Sequence, residues 1–202
     1  MYSPKLFSDV SDNKILQFIN DYPLATLVVK HSGTIEINHL PLQLNKNDNN
    51  LYGHIAKANS LATILLDQSC DVTVIFHGSH GYISPRYYFD KKDSVPTWNY
   101  AVVHVDGKMS LVDDELLTII LDNQFTHYES SEIDWSNPSI RAKLRGICGI
   151  KIEIRKVNAK FKLSQNKSLD DQHSIINNLN QSSCSGDHDL AKFMGLHLKD
   201  NL

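Results

Sequence analysis

The chain is poor in the features that would point to several common protein classes. It has three cysteines among 202 residues, Cys70, Cys148 and Cys184. They are odd in number, far apart and in no Cys-x-x-Cys pair, so neither a disulfide framework nor a thiolate metal knot is expected. No apolar run is long enough to cross a bilayer. The opening Met1-Tyr2-Ser3-Pro4-Lys5 has no positive region leading into an apolar stretch, so no signal peptide is expected and a cytoplasmic location is. Basic charge is not in excess: the net charge is −3, and Lys and Arg are spread thinly. That speaks against a broad nucleic-acid footprint but leaves room for a local basic patch. No Gly-rich loop follows the first strand, which removes dinucleotide-fold and P-loop readings. No Gly-x-Ser-x-Gly elbow surrounds Ser79 or Ser84, so no nucleophile triad is expected.

What remains is an ordinary globular composition, 41% hydrophobic and 21% charged, enough to bury a core. Helical spacing of Ile15, Leu16, Phe18 and Ile19 predicts a helix from Ser11 to about Tyr22, closed by Pro23. Leu24 to Lys30 and Thr34 to Leu44 read as a hairpin around His31-Ser32-Gly33, and Asn45 to Asn50 as a polar loop. Leu51 to Ile55 is a short strand, Asn59 to Gln68 a helix, and Asp71 to His77 an apolar strand that His80 to Ser84 continues. Tyr87 to Ser94 is a surface excursion. Thr97 to Val112 is a long strand, and Asp113 or Asp114 starts a helix to about Tyr128. Pro138 sits in the first turn of a short helix capped by Ser136 or Asn137. Gly149 to Val157 and Lys160 to Leu163 are the last strands. The polar segment after Ser168 carries weak helical stretches near 170–180 and 187–195. Short strands with inserted helices favour a mainly β, α+β barrel over a parallel doubly wound sheet.

Three stretches could carry a site. Alternation puts His39 on the face of Ile35 and Ile37, normally a core position, but Pro41 nearby removes a ladder donor and frees backbone. The run Gly53-His54-Ile55-Ala56-Lys57-Ala58-Asn59 leads a strand into a helix. Lys57, Asn59 and the first helix amides could converge on an anion, although a solvated lysine and an Asn cap are the plainer reading. In Val95-Pro96-Thr97-Trp98-Asn99-Tyr100, aromatic rings alternate with polar handles. The ten histidines include His77 and His80, but that pair lacks metal-site spacing, and no metal is expected.

Together these stretches resemble the PaiB-like family of FMN-binding negative transcriptional regulators. The resemblance rests on His39-Leu40-Pro41-Leu42, Gly53 to Asn59, Tyr82-Ile83-Ser84-Pro85, Val95 to Tyr100, Val103-His104-Val105-Asp106-Gly107 and Lys162-Leu163-Ser164-Gln165-Asn166-Lys167. It runs from Met1 to about Lys167. The Pro-Thr-Trp-Asn-Tyr and Lys-Leu-Ser-Gln-Asn strings are its most specific parts. Two places depart from the family pattern: Ser79, where proline is expected, and Arg86-Tyr87-Tyr88, where a polar residue followed by Trp-Tyr is expected. The resemblance implies a six-stranded antiparallel split β-barrel over residues 1–167, a helical polar tail over 168–202, and a homodimer with FMN at its interface. It implies FMN contacts from Asn38, His39, Leu40, Pro41, Gly53, His54, Lys57, Asn59, Thr97, Trp98 and Asn99. Lys57 and Asn59 would hold the phosphate, while His39, His54 and residues 97–99 would lie along the ribityl chain and ring. DNA is an implied partner that the charge supports weakly. The alternatives are an FMN-dependent oxidoreductase, with His39 or His54 as the acid, and a haem-binding barrel liganded by His77, His80 or His104.

Overall fold

The computed structural model describes residues 1–90, 95–129 and 131–199. Residues 91–94, the end of the expected Tyr87–Ser94 excursion, lie outside the described residues. Two helices open the chain, α1 (Lys5–Ser8) and α2 (Asp12–Asp21). Strands β1 (Leu24–His31), β2 (Thr34–Pro41), β3 (Gln43–Asn45) and β4 (Asn50–Ala56) follow, then α3 (Ser60–Asp67). The long strands β5 (Cys70–Ile83) and β6 (Thr97–Leu111) precede a helical insert of α4 (Asp114–Tyr128) and α5 (Pro138–Leu144). Strand β7 (Ile147–Lys162) leads to α6 (Leu169–Asn180) and α7 (Ser185–Lys199). The strands form one sheet in the order β2-β1-β5-β6-β7-β4-β3.

Local chemistry explains most boundaries. Ser32 and Gly33 both have positive φ, 48° and 82°, between the paired residues His31 and Thr34. That is the two-residue turn whose twist suits an antiparallel hairpin. Asn59 caps α3 by accepting from Leu61 N–H, Asp113 caps α4 by accepting from Leu116 N–H, and Asn137 caps α5 ahead of Pro138. Each supplies an acceptor to a first-turn amide that has no partner in its own helix.

The sheet has seven strands where six were expected. The expected strand Thr34–Leu44 is two strands. Pro41 is the last residue paired to β1, and the next amide, Leu42 N–H, turns away to Pro23 O at 2.9 Å. Gln43 to Asn45 then pair with β4. In contrast, the two expected final strands are one continuous β7.

The chain divides into two compact units, and β5, β6 and β7 contribute residues to both. One unit comprises Leu16–Phe76 and His104–Val157. Its core holds Leu27, Leu42, Leu51, Leu61, Val74 and Ile152. The other comprises Met1–Ile15, His77–Val103 and Asn158–Leu202. Its core joins Phe161 and Leu163 to Ile175 and Leu179 of α6 and Leu190 and Met194 of α7. Asp171 of α6 accepts from Phe89 N–H at 2.9 Å and Asp90 N–H at 3.2 Å. Burial pushes the Asp171 carboxyl up, but hydrogen bonding with Ser168 and with these two amides holds it below the ordinary range.

Candidate functional site

The β1–β2 hairpin has unlike faces. Ala25, Leu27 and Val29 point into the core and are fully buried. On β2 the half-buried residues are Glu36, Asn38 and Leu40, while Ile35, Ile37, His39 and Pro41 are exposed. The apolar face that alternation identified is therefore the outer one, not the core face. Ile35 is 65% exposed and Ile37 59%, and Leu24 opposite Pro41 is 64% exposed. His39 stands on that open face with Nδ1 3.1 Å from Thr26 Oγ1.

Asn38 points the other way, where its Oδ1 accepts from Asn59 Nδ2 at 2.7 Å. The structure thus joins two of the expected site stretches through one side-chain bond. Asn59 Oδ1 is also engaged, by Leu61 N–H at 2.9 Å. Beside them Ser60 donates to Glu36 at 3.0 Å. Lys57 is exposed, and its backbone N–H donates to Gly146 O at 2.9 Å.

Gly53 and His54 look to opposite sides of β4. A Cβ on Gly53 would lie 2.7 Å from Leu42 Cδ2 and 3.0 Å from Pro41 O. The close approach that Gly53 permits is therefore made by the chain just after β2. His54 lies toward Gln124 of α4. Burial pushes its imidazole below the ordinary value, and hydrogen bonding with Gln124 pulls the other way. Among the described residues, Nδ1 of His54 and Nε2 of Gln124 are buried without partners. An unpaired buried donor or acceptor is costly, and such atoms are natural contacts for a polar ligand.

Thr97, Trp98 and Asn99 belong to the other unit, where the Lys-Leu-Ser-Gln-Asn string holds them. Lys162 Nζ donates to Thr97 Oγ1 and, at 2.7 Å, to Trp98 O. Burial, with Lys160 nearby, pushes the Lys162 ammonium below its ordinary pKa. Asn99 is fully buried and exchanges two hydrogen bonds with Ser164 Oγ, at 2.9 and 3.2 Å. Trp98 is 53% exposed, edge-on to Tyr82 and stacked against His80. The two most specific strings of the sequence, 65 residues apart, are thus bonded to each other. Sequence reading did not single out Lys162 and Ser164 as site residues, because no local signal links them to residues 97–99.

Among the described residues no group of three or more His, Cys, Asp or Glu side chains is placed to hold a metal ion. No described helix is long and apolar enough to cross a membrane. An unpaired buried imidazole nitrogen, an exposed lysine beside a capped helix start and an open sheet face with His39 are compatible with a flavin mononucleotide, which needs a cation, polar handles and a flat apolar bed.

The strand order and inserted helices define a split β-barrel of the FMN-binding type. A protein described as "Structure of the FAD and Heme binding protein from Mycobacterium smegmatis" superposes with a TM-score of 0.63 at 15% identity, covering 81% of this chain and 77% of that one. A conserved hypothetical protein from Mycobacterium tuberculosis gives 0.62 at 14% identity, covering 83% and 94%. The profile of the family described as "Putative FMN-binding domain" matches residues 1–156. "Protease synthase and sporulation protein PAI 2" of Bacillus subtilis (strain 168) is 34% identical over the full length of both chains. The chain belongs to this FMN-binding family, is PaiB-like, and has FMN as its cofactor.

Proposed function

We propose that this FMN-binding protein is a negative regulator of gene expression and works as a cytoplasmic homodimer with FMN held where two copies meet. The observation that carries the dimer is the open outer face of the hairpin. Ile35 and Ile37 on the edge strand β2, with Leu24 on the adjacent β1, leave large aliphatic surface in water. Apolar patches of that kind mark interaction sites, and bare edges are normally covered. The regulatory reading is supported by full-length likeness to PAI 2, a protein named for protease synthase and sporulation.

In this reading Lys57 pairs with the FMN phosphate. Asn59 and Asn38 brace the turn that presents Lys57, and Leu40 and Gly53 pack behind it. His39, Pro41 and His54 meet the ribityl chain or ring. FMN supplies reversible one- or two-electron transfer; the protein supplies orientation and exclusion of water. DNA contact, with net charge −3, is confined to a local patch.

Titration with FMN, sedimentation and a mobility-shift assay test the parts separately. Wild type is expected to quench flavin fluorescence saturably and to sediment as a dimer. Ile37→Asp should give monomers and weaken FMN about tenfold or more. A dimer unaffected by Ile37→Asp rejects this interface. No retention of candidate promoter fragments at low salt rejects direct DNA control. Lys57→Ala should weaken FMN more than riboflavin, and equal weakening of both would refute its phosphate role.

A further inference from the structure

We propose that Lys57, Arg141 and Arg145 form a binding cleft for a phosphomonoester, built by the β4–α3 turn and the α4–α5 insert. The cleft has a volume of about 890 Å³, and its walls include these three cations, Asp114, Thr118 and Trp135. Among the described residues none of the three cationic side chains makes an ion pair or a hydrogen bond. Three positive charges against the one carboxylate of Asp114 leave two in excess. A phosphomonoester carries about −1.5 to −2 near neutral pH, and guanidinium groups match its oxygens in pairs.

The cleft is built rather than incidental. Lys57 N–H donates to Gly146 O at 2.9 Å, and Ala56 pairs with Ile147. This fastens the turn carrying Lys57 beside Arg145. Trp135 is fixed as a wall because its Nε1–H donates to Asp122 at 2.7 Å. Arg141 lies in the last turn of α5 and Arg145 caps its C-terminus, where cations are favoured by the helix dipole. The Lys57 charge reaches as far as Cys148, whose thiol it pulls down against the larger upward push of burial.

The inference extends the reading of Lys57 as a phosphate ligand. That reading by itself is short of donors: Asn59 Oδ1, one Nδ2 hydrogen of Asn59 and the Lys57 amide are already used. Arg141 and Arg145 supply what is missing. The phosphate is either that of FMN or that of a separate small molecule.

Calorimetry of flavin-free protein with inorganic phosphate tests the cleft. Wild type should bind saturably, and Arg141→Gln/Arg145→Gln should weaken phosphate by about tenfold or more. Both positions are exposed, so the variant should stay folded, which its circular dichroism checks. Equal phosphate affinity in wild type and folded variant, or no saturable binding to wild type, overturns the proposal. If phosphate competes with FMN and the variant weakens FMN but not riboflavin, the cleft holds the cofactor's own phosphate. If phosphate binds FMN-loaded protein undiminished, the cleft serves a second phosphorylated ligand. Phosphate binding without FMN binding would sink the FMN reading and leave the cleft standing.

Discussion

Two side-chain pairs led by asparagine tie distant stretches of this chain, and they differ in their surroundings. Asn99 and Ser164 are both buried and use each other as donor and acceptor. Asn38 and Asn59 are half-buried, joined by a single bond at 2.7 Å. Breaking the first pair leaves a hydroxyl that no water can reach. Breaking the second leaves groups that water, or a ligand, can satisfy. Full burial makes a polar pair part of the architecture, whereas partial burial keeps it available for exchange.

The largest effect is therefore expected at Asn99. Asn99→Ala should cost about 3 kcal/mol, the sum of an unsatisfied Ser164 and a small cavity. Urea denaturation should show the midpoint falling with little change in slope. A loss no larger than that of Asn59→Ala would erase the distinction between the pairs. Gly53→Ala comes next, at about 2 kcal/mol, because its Cβ meets Leu42 Cδ2 at 2.7 Å and a backbone carbonyl at 3.0 Å. If Gly53→Ala is neutral, the chain after β2 yields more easily than its packing implies.

Asn59→Ala should cost about 1 kcal/mol, the ordinary worth of a helix cap. Its effect on FMN should exceed its effect on stability, since the same residue braces Asn38 and the Lys57 turn. A urea midpoint for Asn59→Ser near that of wild type, with Asn59→Ala lower and all measured without FMN, would show that capping accounts for the stability loss; equal midpoints for the two variants would show that it does not.

How much of this was legible in the sequence follows from the range of each interaction. The Ser32-Gly33 turn, the Asn59 and Asp113 caps and Pro138 are signals spanning a few residues, and each marks an observed boundary. Alternation along β2 correctly grouped Ile35, Ile37 and His39. It could not say which side the group faces, because period two identifies shared faces and not the location of the core. The break at Pro41 was visible as a missing donor, but where Leu42 N–H would go depends on Pro23, far along the chain. Lys162 and Ser164 meet residues 97–99 across 65 positions, and no local pattern encodes that. Arg141 and Arg145 carried no sequence signal of their own; the backbone bond from Lys57 to Gly146 and the Ala56–Ile147 pairing bring them next to the lysine.

His54 extends the comparison to a group with no partner at all on one nitrogen, and its effect should be the smallest. Burial lowers its pKa from the ordinary 6.5. The unfolded chain therefore binds this proton more readily than the folded one, and stability rises with pH wherever that holds. The contribution is complete above about 6.5 and is lost as pH falls from there through the lower folded value. His54→Gln removes the titration while keeping a polar side chain of similar reach. Urea midpoints of wild type and His54→Gln, measured from neutral to mildly acidic pH, should converge toward the acid side. Parallel curves would mean that the imidazole is solvated after all. In that event an unpaired Nδ1 would no longer be a reason to expect FMN beside it.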